Sequence, residues 1–366
     1  MNENNEKTLN IFFLLLRLGL GHNETLDDDI NTEEWSSIWS LSAKHAVIGI
    51  IFDGICQLPN EKKPPRPIIL KWIATVKMIE QHNRDINTNS VYVAKKIKEA
   101  GFSNTILKGQ GISLLYPNPL HRMPGDIDIW LEGGREKIMT FVRKIFPNTG
   151  ARYHHVDFPV LKNTEVEIHF TPSWLSSIND NRILQRWFKN ESDKQFENFQ
   201  YLPENAGQVA IATNEFNRIF LLIHIYRHFF DEGIGLRQLI DYALVLKQDM
   251  TDEEKQNAEK LLSQLHIKRF ASGIMYIIRN ILKIDDCNLI IVPDKKEGEF
   301  ILQEILRSGN FGICNKDIYY NNKSLIYYLS KFKYKIKFFK KYGRETLWGN
   351  IFWIWQYFWR IYKGYK

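Results

Sequence analysis

Residues 125–130, Gly-Asp-Ile-Asp-Ile-Trp, alternate acidic and apolar side chains with a period of two. Successive side chains of a β-strand point to opposite faces, so Ile127 and Ile129 share one face while Asp126 and Asp128 share the other. Such a strand must border a packed core on one side and a place that tolerates two carboxylates on the other. Parallel carboxylates repel unless a proton or a cation lies between them. A strand end facing water meets that condition, and so does a strand that holds a divalent metal. Mg2+ suits the second arrangement, because it binds one or two protein carboxylates and completes its shell with water and phosphate oxygens. Mn2+ is the alternative ion for the same oxygen ligands.

Helix signals surround this strand. Residues Ile11 to Leu20 form an apolar run broken by Arg17, which predicts a buried amphipathic helix. Thr32 is the expected N-cap of a helix whose first turn carries Glu33 and Glu34 and whose Trp35, Ile38, Trp39, Ala43 and Ala46 recur at helical spacing. After Pro64, Pro65 and Pro67, residues Ile68 to Ala100 are again helical in pattern. The period then changes. Ser103–Leu107 and Asp126–Leu131 are expected strands, Arg135–Ile145 a helix, and Tyr153–Val160 and Glu165–Phe170 an antiparallel pair joined at Lys162-Asn163-Thr164. From Trp174 onward helices return, most clearly Glu215–Phe230, Leu236–Lys247 and Asp252–Leu265. The expected fold class is α+β: a small mixed β-sheet with flanking helices, embedded in a mostly helical chain. Four regions follow, namely a helical 1–100, an α/β core at 101–175, a helical 176–322 and a basic aromatic tail at 323–366.

No stretch reaches the roughly 18 uninterrupted apolar residues of a membrane span, and the chain start lacks the basic residues of a secretory signal. The three cysteines, Cys56, Cys287 and Cys314, are odd in number and lack zinc spacing, which fits a reducing compartment. The expected location is therefore cytoplasmic. The net charge of +7 is uneven: from Lys323 on there are eleven Lys or Arg against one acid, Glu345. Residues 331–341 alternate lysine with apolar residues, and 351–360 are dense in aromatics. Three roles fit: a nucleic-acid-binding segment, a segment lying peripherally on the inner face of an anionic membrane, or a final helix whose aromatics pack on the protein and whose lysines face water.

Several residues could carry chemistry. Glu165, Glu167 and His169 share one strand face, with Val166, Ile168 and Phe170 on the other. A neighbouring strand would bring Glu167 beside Asp126 and Asp128, whereas a surface strand would leave it solvated. Lys108 and Gly109 end a strand and open a helix, where glycine admits a phosphate close to the backbone. Arg122 is a second phosphate candidate, against the commoner case of a loop arginine in water. His224 and His228 lie at i, i+4 and fit cleft-lining residues better than a zinc site, which would want a Glu between them. Arg237 and Asp241, also i, i+4, suit an intrahelical ion pair, with Arg237 near a nucleotide as the alternative.

The order Leu107-Lys108-Gly109, Leu115-Tyr116-Pro117, Arg122, Asp126-Ile127-Asp128 and Val166-Glu167-Ile168-His169-Phe170 resembles the uncharacterised nucleotidyltransferase family, within the superfamily that includes DNA polymerase β. His224 to His228, followed by Leu236 to Asp241, is similar to that family's paired histidines and later helix. The resemblance implies a metal-dependent nucleotidyltransferase core acting on an NTP and releasing pyrophosphate. It implies Asp126, Asp128 and Glu167 as metal-binding and catalytic residues, with Glu167 preferred to Glu165 because it lies in the Glu-x-His frame. Lys108, Gly109, Arg122 and Arg237 would be nucleotide-binding, and His169, His224 and His228 cleft residues. The acceptor, whether small molecule, glycan, protein or RNA, stays open. So does a catalytically inactive relative that binds a nucleotide or a partner at a membrane surface.

Overall fold

A computed structural model describes residues 3–312 and 332–363. Cys314, Lys323, Lys331 and the boundary between 322 and 323 lie outside the described residues. The chain opens with α1 (Glu3–Gly19), α2 (Thr32–Lys44) and α3 (Ile48–Gln57). Ile11, Phe12, Leu15, Leu16 and Leu18 of α1 are buried, as the apolar run requires. The N-cap of α2 is Asn31, not Thr32. The Asn31 carboxamide accepts from the Glu34 N–H and the Glu34 carboxylate reaches back to the Asn31 N–H, a reciprocal box that a cap at Thr32 could not close with Glu34.

The long helix α4 (Arg66–Glu99) begins at Pro65 and Pro67, where missing N–H groups cost nothing. Its first half places Trp72, Val76 and Ile79 in the helical core, and its second half places Ile86, Val93 and Ile97 in the sheet core. One rigid helix thereby serves both cores.

The sheet comprises β1 (Asn104–Leu107), β2 (Ile127–Leu131), β3 (His155–Asp157) and β4 (Val166–His169) in the order β1-β2-β4-β3. Helix α5 (Gly109–Ser113) follows β1, and α6 (Gly134–Ile145) follows β2. β1 runs antiparallel to β2, β2 parallel to β4, and β3 antiparallel to β4. The expected antiparallel pair exists, but β3 is only three residues long. Its pairing ends where the Val160 N–H turns back to the Phe158 carbonyl around Pro159. Ile127, Ile129 and Leu131 pack with Ile106, Ile138, Val142 and Ile168 between the sheet and its helices. Trp130, on the opposite face, joins the helical core and stacks on Phe216 at 5.9 Å. The period of two in β2 therefore divides the two cores, and Asp128 points to the same side as Trp130.

The helical body continues with α7 (Ile178–Glu197), the hairpin β5 (Phe199–Leu202) and β6 (Gly207–Ala210), and then α8 (Asn214–Asp231), α9 (Leu236–Leu246), α10 (Asp252–Gln264), α11 (Lys268–Asn280) and α12 (Lys295–Ser308). The last helix, α13 (Phe339–Tyr362), closes back over this body. Tyr334, Phe338, Tyr342 and Phe352 are buried. Four of the tail's cations are tethers rather than solvated charges: Lys335 pairs with Asp231, Lys337 with Glu304, Lys341 with Glu297 and Arg344 with Asp180. The tail thus docks partly on acids of the body. Among the described residues no helix is long and apolar enough to cross a membrane.

Candidate active site

Asp128 and Glu167 face each other across the parallel β2–β4 ladder. Lys108 stands one residue beyond Leu107, which pairs with Asp128 from the other side. Its backbone has φ +51°, in the left-handed region that costs a non-glycine residue roughly 1–3 kcal/mol. This conformation directs its ammonium onto Asp128, with Nζ 2.7 Å from Oδ2. The other oxygen of Asp128 accepts from His169 Nε2 at 2.7 Å. His169 also lies 3.6 Å from Glu167, and His155 Nδ1 lies 3.2 Å from the same Glu167 oxygen.

The charges follow from this packing. Burial raises the Asp128 pKa, but Lys108 and His169 outweigh it and hold the carboxyl well below the ordinary range. Burial opposes protonation of His169, yet its bonds to Asp128 and Glu167 raise its pKa to about 9. Asp126 is pushed up to about 6, first by the neighbouring Asp128 charge and then by burial. Burial drives His155 down to about 3. The Asp128, Glu167 and His169 ligand atoms lie within 4.8 Å of one another, as do those of His154, His155 and His169. Asp126 is outside those groups, at the entry to β2 and partly exposed. Glu165 is exposed and precedes β4.

The donor set suits a hard cation. Asp126 and Asp128 repel strongly enough to raise one of them into the weakly acidic range, and a divalent ion between them would remove that repulsion. Lys108 and His169 supply positive charge at the same place in the structure as it stands.

A loop holds Asp126 in place. Asn83, buried in α4, donates to the Leu120 and Arg122 carbonyls at 2.7 and 2.9 Å. Gly49 lets that loop approach α3, since a Cβ there would sit 2.1 Å from the His121 carbonyl oxygen. Arg122 is buried and forms a two-pronged pair with Asp241, both contacts 2.8 Å, while Tyr116 Oη donates to the same carboxylate. The expected Arg237–Asp241 pair is therefore replaced: both Asp241 oxygens go to Arg122, which arrives from a distant part of the chain. Arg122 is committed to this carboxylate, which leaves it little capacity for a phosphate.

Arg237 instead donates to the Met123 carbonyl at 2.9 Å and has no carboxylate partner among the described residues. Its guanidinium approaches Gly125, where a Cβ would lie 3.8 Å from Nη1. Burial and then the Arg122 charge lower its pKa. Arg227 on α8 stacks over Trp174 at 4.2 Å and donates to Ser173 Oγ; burial lowers it to about 10. Neither Nε finds a partner among the described residues. The His224 and His228 rings meet beside them with centroids 4.3 Å apart and planes tilted by 56°, and His228 is held by Glu232 at 2.6 Å. Burial keeps His224 well below its ordinary value.

The charged and histidine side chains described above, Glu165 excepted, line one cleft of about 1180 Å³, between the sheet, α8, α9 and α13. It exceeds the roughly 300–1,000 Å³ of a typical small-ligand site, which leaves room for two reactants. His154, His155 and Arg227 were not singled out from the sequence. His154 and His155 lie in an expected strand, but nothing local marks them as facing Glu167 and His169, and Arg227 sits within a helix that is buried almost all round.

Residues 31–283 match the model of a family described as uncharacterised nucleotidyltransferase. No curated protein matches the sequence. A solved structure of an antigenic nucleotidyltransferase-like protein from Paracoccidioides brasiliensis is similar at 15% identity, over 59% of this chain and 96% of that one, with a TM-score of 0.33.

Proposed function

This chain belongs to the uncharacterised nucleotidyltransferase family, and on that premise we propose that it transfers a nucleoside monophosphate from an NTP to an acceptor, with a divalent ion, Mg2+ or Mn2+, at Asp126, Asp128 and Glu167. The observation that carries the proposal is the cross-strand apposition of Asp128 and Glu167 with Lys108 Nζ 2.7 Å from Asp128. Bound there, the ion would neutralise charge on the triphosphate. Arg237 and Arg227, cations without carboxylate partners, would receive phosphate oxygens, and Lys108 would share its ammonium between Asp128 and the triphosphate. Gly109 follows Lys108 at φ +36° and keeps the helix start open to the same group. An acceptor hydroxyl oxygen would bond to the α-phosphorus as the bond to the bridging oxygen breaks. Glu167 takes the hydroxyl proton, and pyrophosphate leaves. The protein's task is mainly positioning and electrostatics.

The test is pyrophosphate release by purified protein supplied with each NTP and Mg2+, together with a screen of small molecules, glycans, proteins and RNA for label. Asp126→Ala and Asp128→Ala should each abolish release, and undiminished release from either contradicts the proposal. One observation favours a second reading, nucleotide binding without transfer: Lys108 and His169 already neutralise Asp128 within the protein. That reading predicts saturable NTP binding with no pyrophosphate from any acceptor.

A further inference from the structure

Helix α13 has two unlike faces. One is fixed to the cleft wall: Phe352 stacks on Trp174 at 4.0 Å, and Trp353 Nε1 donates to Asp231 at 3.1 Å. The other carries Leu347, Ile351, Ile354 and Phe358, each between 44% and 63% exposed, while the exposed Ile361 beyond them also borders the cleft. Their spacing alternates four and three, which aligns them in one stripe along the helix. Trp355 and Tyr362 are exposed beside it. A patch of large apolar side chains like this marks a contact surface.

The charges identify its occupant. Lys335, Lys337, Lys341 and Arg344 are used internally as tethers. Lys333, Lys340 and Lys363 are exposed and make no ion pair among the described residues. Among residues 332–363 the single acid, Glu345, is turned inward onto Tyr226 Oη at 3.0 Å. A second copy would meet this face with the same apolar stripe and the same unpaired cations, and would offer no acid to match them. An anionic bilayer surface offers an apolar interior beneath negative headgroups, which matches both features. α13 is not apolar enough to cross such a bilayer, so it would lie along the surface. The stripe also falls outside the family-matched residues 31–283.

We infer that the exposed face of α13 docks this protein peripherally on an anionic membrane surface, with Ile354 and Phe358 at the centre of the contact and Lys333 and Lys340 engaging lipid headgroups. The test is co-sedimentation of the full-length protein, without nucleotide, with vesicles of phosphatidylcholine alone and of phosphatidylcholine containing about one-third phosphatidylglycerol. The expected result is binding to the anionic vesicles only. Ile354→Glu with Phe358→Glu should weaken it at least about tenfold, with an unchanged thermal midpoint because both side chains are exposed. Lys333→Glu and Lys340→Glu should each weaken it about fivefold. Absence of binding to anionic vesicles overturns the inference. So does a dimer that the double variant converts to monomer without any vesicle binding, or RNA retention lost in that variant without vesicle binding. Because nucleotide is absent, failure here leaves the transferase proposal untouched.

Discussion

The floor and the wall of the cleft hold their charges differently. On the floor, Asp128 and Glu167 are compensated by Lys108 and His169 at 2.7–3.6 Å, with the neutral His155 ring 3.2 Å from Glu167. On the wall, Arg227 and Arg237 rest on an aromatic ring, a hydroxyl and a carbonyl, without a carboxylate. Both are half-buried in the cleft lining, where a cation held away from water without an anion beside it is costly. The pairing of Arg122 with Asp241 shows what the same wall does when an arginine is structural. On the proposed function, these arginines, without a carboxylate partner among the described residues, would receive an anion brought from outside, and the floor would receive a cation.

The largest effect should come from breaking the paired arginine. Arg122→Met leaves Asp241 buried and uncompensated, which should cost about 3–5 kcal/mol in urea unfolding. Adding Asp241→Leu should recover most of it, whereas Arg237→Gln should leave unfolding nearly unchanged. If Arg122→Met were as stable as the wild type, the distinction between structural and ligand-facing arginines would fail.

On the floor, Asp128→Asn should reduce nucleotidyl transfer roughly 100- to 1,000-fold, measured as pyrophosphate release at saturating NTP. On the wall, Arg237→Gln should weaken NTP binding roughly 10- to 100-fold in calorimetric titration, as expected for the loss of charge-assisted hydrogen bonds of about 1.5–3 kcal/mol.

The smallest effect near neutral pH is a pH slope. His45 is fully buried beneath the start of α9, its carbonyl accepting the Arg237 N–H, and burial lowers its pKa to about 3. The unfolded chain protonates this histidine near 6.5 and the folded chain does not, so stability falls as pH drops below about 6.5 and goes on falling to about 3. Each such group contributes about 1.4 kcal/mol per pH unit in that window. His45→Met should flatten the stability–pH curve by that amount, and an unchanged slope would show that the ring titrates normally in the fold.

Much of the sheet was legible in the sequence because its signals are local. The alternation in 126–131 set which residues face the core, and the Glu-x-His frame of 167–169 faces the same way. What stayed hidden depends on pairing at long range. Arg122 meets Asp241 across 119 positions, so the i, i+4 spacing of Arg237 and Asp241 suggested the wrong partner. The tail's lysines looked solvated because Asp180, Asp231, Glu297 and Glu304, which tether four cations, lie far upstream. The Asn31 cap was missed by one residue, since Asn and Thr both cap well and only the reach of Glu34 separates them.

The account turns on whether floor and wall receive one ligand together. A structure determined with Mg2+ and a non-hydrolysable NTP analogue tests this most directly. It should show an ion held by Asp126 and Asp128 within reach of Glu167, Lys108 turned from Asp128 toward the triphosphate, and Arg237 on a phosphate oxygen. A triphosphate bound elsewhere, with the Lys108–Asp128 pair intact and no ion on the carboxylates, would contradict it.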